Sequence, residues 1–319
     1  MYYPYLRGKQ FELILIRDNA ESLAENSIHP IIEPVKSDFK AMKKAMQLLH
    51  EYNTNCTLII NPIAGETPVT TDSIVKELID GEFKEYTNIS LGFILHADSD
   101  IFELKKYLER YKDRSFSIIH NGFTNAKEVV ISIKDINNIA RHIFIDGTVG
   151  KLYISKFKTD KTKQILIRNG FKPQKKNSLY PLNEHFSDLH ITYNLEGMDG
   201  FGDYLIVGDE YKEGGGPAYA VAIHLTYCNG EEEDDMFIYH FVSESTDSPT
   251  DPGGKFLEAL KKLVMAVEDS KTHILKTSAI DEYLKLYEKK HYPGLGSVKK
   301  LSMQHHLELM IDYLERSNN

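Results

Sequence analysis

Seven polar residues stand at the downstream ends of short apolar runs, and their types could do chemistry together. Glu33 closes Ile-His-Pro-Ile-Ile-Glu, Asn61 closes Thr-Leu-Ile-Ile-Asn, His96 closes Leu-Gly-Phe-Ile-Leu-His, His120 closes Phe-Ser-Ile-Ile-His and Asp146 closes Ile-Phe-Ile-Asp. Arg7 and Arg168 follow similar runs at 2–6 and 164–167. Two imidazoles in one pocket could serve as general acid and base, with His96 and His120 in those roles. Glu33 and Asp146 would orient them, or all four would ligate a divalent metal such as zinc, manganese or iron. The chain contains no His-x-His or His-Glu-x-x-His spacing, so the identity of any metal stays unknown. Arg7, Lys9 and Arg168 suit phosphate oxygens, and Asn61 could donate a hydrogen bond to developing negative charge.

Two further stretches bear on the same chemistry. Residues 156–176 hold eight basic side chains against one acid, Asp160, in a chain of net charge −9. Such a local reversal fits either a solvated lysine-rich loop or contact with phosphate or nucleic acid. Gly214, Gly215 and Gly216 would let backbone amides approach an anion. Asp199 and Asp203 flank Gly-Phe-Gly. Glycines so placed suggest a tight turn carrying a functional carboxylate, Asp203, or a bulge whose aspartates cap backbone amides. His224 and His240 lie in two β-like runs and face each other in one strand register, where a surface or interface pair is the plainer reading.

These positions need a scaffold that brings strand ends together. Continuous Ile/Leu/Phe runs suit strands buried on both faces, hence parallel strands covered by helices. Between the runs lie helical rhythms. Met42, Ala45, Met46 and Leu49 form one stripe, and Ile101, Leu104, Tyr107 and Leu108 another. Thr71 or Asp72 is a candidate N-cap. Six β/α units in about 150 residues match the repeat of a (β/α)8 TIM-barrel-like fold, whose site is built at the carboxyl rim. A doubly wound open sheet uses the same units, although no Gly-x-Gly-x-x-Gly follows the first strand. A seventh strand ends at Arg168, and the eighth is either 204–207 or 218–227. Runs 218–227 and 236–243 read as a hairpin appended to the barrel. The expected organisation is therefore a barrel over 1–270 with a hairpin insertion at about 217–244, then a helical extension over 271–319 packed on it.

Composition limits the remaining options. The chain has 319 residues, 41% hydrophobic and 27% charged, which are globular values. Cys56 and Cys228 fit no metal spacing and read as free thiols of a reducing, cytoplasmic setting. Arg7, Lys9, Glu12 and Arg17 interrupt the N-terminal apolar residues, so no signal peptide is expected. No apolar run approaches the roughly 18 residues of a membrane span.

Tyr-Pro-Tyr-Leu-Arg-Gly-Lys-Gln-Phe-Glu-Leu (3–13), Pro-Ile-Ile-Glu-Pro-Val (30–35) and Asp-Gly-Phe-Gly-Asp-Tyr (199–204) resemble the phage-type "beta protein" family and, more closely, a related uncharacterised bacterial family. That resemblance implies a barrel-like fold, a setting among phage, mobile-element or antiphage defence genes, and a protein partner such as a nuclease. It assigns no chemistry to these motifs. A weaker similarity is to the glycerophosphodiester phosphodiesterases, barrels that open with His-Arg-Gly. Here Leu6-Arg7-Gly8 lacks the histidine, and Glu33 is followed by Pro-Val where that family has a second acid. The expected function is a barrel binding a phosphate-bearing ligand, nucleotide or nucleic-acid end at its rim and cleaving a phosphodiester there. The alternative is a catalytically inactive sensor or scaffold subunit beside a nuclease.

Overall fold

The computed structural model describes every residue except 66–68, 213, 215, 231–233, 270 and 319. The Gly-rich run at 214–216 therefore lies partly outside the described residues. The first unit comprises Met1–Arg168 and Thr192–Asp203, the second Asn169–Ile191 and Tyr204–Asn319.

Six strand–helix repeats run from β1 (Tyr5–Leu6) through α1 (Gln10–Asp18), α2 (Ala20–Glu25), β2 (Ile31–Ile32), α3 (Lys40–Glu51), β3 (Cys56–Ile59), α4 (Thr71–Ile74) and β4 (Ile89–Leu95). They continue through α5 (Ile101–Arg110), β5 (Phe116–His120), α6 (Ala126–Ile133), β6 (Ile139–Ile145), α7 (Lys151–Ile154) and β7 (Lys163–Ile167). The chain then forms β8 (Asn183–Ser187), α8 (Leu189–Thr192), β9 (Gly200–Gly202), β10 (Ala222–Cys228), β11 (Met236–Val242), α9 (Pro252–Glu268), α10 (Ser278–Glu288) and α11 (Leu295–Asn318).

In the first unit eight parallel strands pair in the order β1-β2-β3-β4-β5-β6-β7-β9. The ring nearly closes where Tyr3 N–H donates to the Phe201 carbonyl and Tyr5 N–H to that of Asp203, both at 2.8 Å. An open doubly wound sheet is thereby ruled out, and the fold is a TIM-barrel-like mixed α/β one. The eighth strand is Gly-Phe-Gly, not 204–207 or 218–227. A Cβ at Gly202 would overlap the Tyr3 carbonyl, and one at Gly200 would meet the Tyr3 ring at 2.8 Å. Glycine is what lets the first and last strands approach this closely.

The helices bury the stripes read from the sequence. Met42, Ala45, Met46 and Leu49 are buried on α3, as are Ile101, Leu104, Tyr107 and Leu108 on α5. Asp100 caps α5, accepting from Phe102 N–H at 2.8 Å. The cap of α4 is Thr70, one residue before the expected pair, and it accepts from Ser73 N–H at 3.2 Å.

The second unit is built on the antiparallel sheet β10-β11-β8. The β10–β11 hairpin belongs with β8 and is not an insertion in the barrel's sheet. Ile223 and Leu225 of β10, Phe241 of β11, Phe256, Leu260 and Leu263 of α9 and Tyr283 of α10 share one core. The division drawn by these contacts falls at Arg168 and Asp203 instead of near residue 270, because 169–191 leaves between β7 and β9 to supply a strand to the second sheet. Cys56 and Cys228 are free and buried. Among the described residues no helix is long and apolar enough to cross a membrane.

Candidate functional site at the carboxyl rim

Successive side chains of a strand point to opposite faces, so which residues share the barrel's interior is a matter of parity. The interior face is marked by Gly92. A Cβ there would meet the side chains of Thr57, Ile59 and Ile119 from the strands on either side. Across the same interior Thr57 Oγ1 lies 3.2 Å from Ser117 Oγ, and Arg141 Nη1 donates to Ser90 Oγ at 3.2 Å.

Arg7, Glu33 and Asn61 follow β1, β2 and β3, and the side chains of Arg7 and Glu33 are paired. Glu33 is fully buried. Its Oε2 accepts from Tyr5 OH and Arg7 Nη1, both at 2.8 Å, and its Oε1 from Ile63 N–H at 2.8 Å and Ala64 N–H at 2.9 Å. A carboxylate offers about four acceptor sites, and here four donors occupy them. Glu33 thus holds the start of the loop after β3 and neutralises Arg7. Asn61 spends both ends of its amide on one residue: Nδ2 donates to the Ile94 carbonyl at 2.9 Å and Oδ1 accepts from Ile94 N–H at 2.8 Å. It extends the β3–β4 ladder by one side chain. Lys9 stands at the N-cap of α1, where its backbone N–H donates to Glu12 at 3.3 Å.

His120, Asp146 and Arg168 lie on the opposite parity. Ile119 faces Gly92 across the interior, so its neighbour His120 points to the helix layer. There Nδ1 lies 2.8 Å from Tyr153 OH on α7, and Nε2 lies 2.9 Å from His142 Nδ1. The rings of Phe144 and Phe157 pack on it at 4.7 and 4.5 Å. Burial, and secondarily His142, push the His120 pKa well below its ordinary value, while burial brings that of His142 to about 4. Asp146 shares parity with His142, and Arg168 with Gln164, whose Nε2 reaches the Phe157 carbonyl at 3.0 Å. Arg168 bridges two acids: Nε donates to Asp146 at 2.6 Å and Nη2 to Glu196 at 2.5 Å.

The expectation that all seven side chains converge on one mouth is therefore corrected. Strands buried on both faces carry apolar residues at every position, so composition does not reveal parity, and a shift of one residue reverses the face. His96 follows β4 and closes a turn, its Nδ1 accepting from Asp98 N–H at 3.2 Å. Asp203 is buried and accepts from Tyr2 OH at 2.7 Å. Asp199 accepts from Gln164 N–H at 2.8 Å, so the Gly-Phe-Gly acids secure the eighth strand instead of shaping a turn. Of the basic stretch, Lys156, Lys158, Lys161 and Lys163 belong to the first unit and Lys172, Lys175 and Lys176 to the second. Among the described residues no group of three or more His, Cys, Asp or Glu side chains is placed to hold a metal ion.

Tyr5, His142, Tyr153 and Glu196 are the partners that reading the strand ends missed. His142 alone had a sequence signal, standing at the same parity as Phe144 within its run. The chain matches no protein-family model and no curated protein sequence. What the rim shows on its own geometry is an arrangement whose charges are already paired: Arg7 with Glu33, and Arg168 with Asp146 and Glu196.

Proposed function

We propose that the barrel acts by binding and not by hydrolysis: it is a sensor or scaffold subunit, in the antiphage or mobile-element setting that the beta-protein resemblance implies, beside a partner such as a nuclease. The supporting observation is His120. A general acid or base must reach the proton it moves directly or through one water, whereas both ring nitrogens of His120 are engaged by Tyr153 and His142 beneath α7. Glu33, with four donors on two oxygens, has no free lone pair for a metal or a water. Phosphate at this rim would have to displace Glu33 from Arg7 or two carboxylates from Arg168, exchanging existing charge-assisted bonds for similar ones.

The test is turnover of a phosphodiester panel with magnesium, manganese or zinc, together with calorimetric titration of inorganic phosphate. The expected result is no rate above buffer, no change with His120→Ala, no saturable phosphate binding, and co-purification with a nuclease encoded beside the gene. Metal-dependent turnover abolished by His120→Ala would overturn this reading.

A further inference from the structure

The second unit contains a different constellation, independent of what the rim does. His224 of β10 and His240 of β11 are directly opposite in the register. Their Nδ1 atoms lie 2.7 Å apart. On the far side of His240, Nε2 lies 3.2 Å from Glu184 Oε1 on β8, and Lys172 Nζ stands 3.7 Å from the other carboxylate oxygen. Two imidazole nitrogens in hydrogen-bond contact must be one donor and one acceptor. The carboxylate decides which, since Glu184 accepts and His240 must carry its proton on Nε2. His240 Nδ1 then holds a lone pair, and His224 must donate to it from Nδ1. The remaining nitrogen, His224 Nε2, is left with a lone pair.

His224 lines a cavity of about 280 Å³ that lies wholly within this unit. No group among the described residues hydrogen-bonds its Nε2. The apolar part of the cavity wall comes from Phe171, Tyr180, Ile206, Val207, Leu295 and Val298. Asn177 Nδ2 donates to the Ala220 carbonyl at 2.8 Å, and Ser302 Oγ lies 3.0 Å from Tyr283 OH. Tyr180 stacks on His240 at 4.6 Å and Phe171 meets His224 edge-on at 5.1 Å, which fixes both rings. A pocket that combines apolar side chains with a few convergent polar groups is the ordinary form of a small-ligand site, and this one is just below the ~300 Å³ where drug-sized pockets begin.

We infer that this cavity binds a small ring compound bearing a hydroxyl group, which donates its hydrogen bond to His224 Nε2. Glu184 and His240 are positioning residues: they hold His224 in the tautomer that can accept. Burial and the neighbouring His240 and Lys299 lower the His224 pKa, which keeps the ring neutral and accepting. Lys299 also lines the cavity, so a carboxylate ligand is the competing outcome.

The experiment uses the whole chain with phenol as the probe, and toluene and benzoate as controls, followed by ¹⁵N NMR of the histidine rings. In the free protein His224 should be the Nδ1–H tautomer. Phenol should shift its Nε2 resonance saturably, and toluene should bind at least about tenfold more weakly. Glu184→Leu should mix the tautomers and weaken phenol about tenfold while the thermal unfolding curve stays cooperative. A His224 found as the Nε2–H tautomer in the unaltered protein would overturn the assignment. So would a Nε2 resonance unmoved by phenol to its solubility limit, or benzoate binding in preference to phenol.

Discussion

Buried histidines recur in this chain, held by hydrogen bonds to neighbouring groups. His142 bonds to His120, and His305 lies 2.9 Å from Thr277 Oγ1 and 2.8 Å from the Thr226 carbonyl. Burial lowers both pKa values from 6.5 to about 4. A group whose folded pKa is depressed contributes stability that is complete above the unfolded pKa. That contribution is lost as pH falls, because the unfolded chain takes up protons first. The window for these two rings therefore runs from 6.5 down to about 4. Urea denaturation should show each costing about 2 kcal/mol between roughly pH 7 and pH 5. His305→Gln should reduce the slope; a stability unchanged across that interval would refute the burial argument. His305 and His306 are both completely buried, with His306 Nδ1 2.9 Å from Thr226 Oγ1.

At the level of elements, the alternation of strand and helix was legible because its signals are physical necessities. Parallel strands covered on both sides must be apolar throughout, and the covering helices must show one apolar stripe, as α3 and α5 do. Less visible was the eighth strand. Gly200–Gly202 has no apolar run to announce it, since its two glycines make room for Tyr3 across the seam and for Ile165 of the neighbouring β7. Parity was hidden for the opposite reason: Ile118, Ile119, Phe144 and Ile145 are all buried, so nothing in their types says which faces the interior. β8 went unread as well. Asn-Glu-His-Phe-Ser becomes a strand through pairing with β11, a contact distant in sequence. The seam makes a direct prediction. Gly202→Ala sets a Cβ against the Tyr3 carbonyl, backbone that cannot yield as the neighbouring Ile167 side chain can. It should cost more than about 4 kcal/mol or abolish folding, read by denaturation. A loss below about 1 kcal/mol would mean that the seam is loose.

At the scale of the whole molecule, the chain combines a barrel whose polar strand ends are divided between two faces with a second unit carrying its own sheet and cavity. The candidate rim was half legible. Arg7 and Glu33 pair at the ends of the first two strands, while Asn61 after β3 binds only the Ile94 backbone. His120 belongs to the layer between strands and helices, and Asp146 and Arg168, of the same parity, pair at a partly exposed position. That division is the central claim, because a hydrolytic site at this rim needs His120 in contact with solvent and substrate. The most direct measurement is an NMR titration of the His120 ring across about pH 5 to 8, the interval in which an accessible histidine changes charge. The expected result is a ring that stays neutral throughout, with its hydrogen bonds to Tyr153 and His142 intact and its signals unmoved by added phosphate; a ring that titrates near neutrality and responds to phosphate would contradict it.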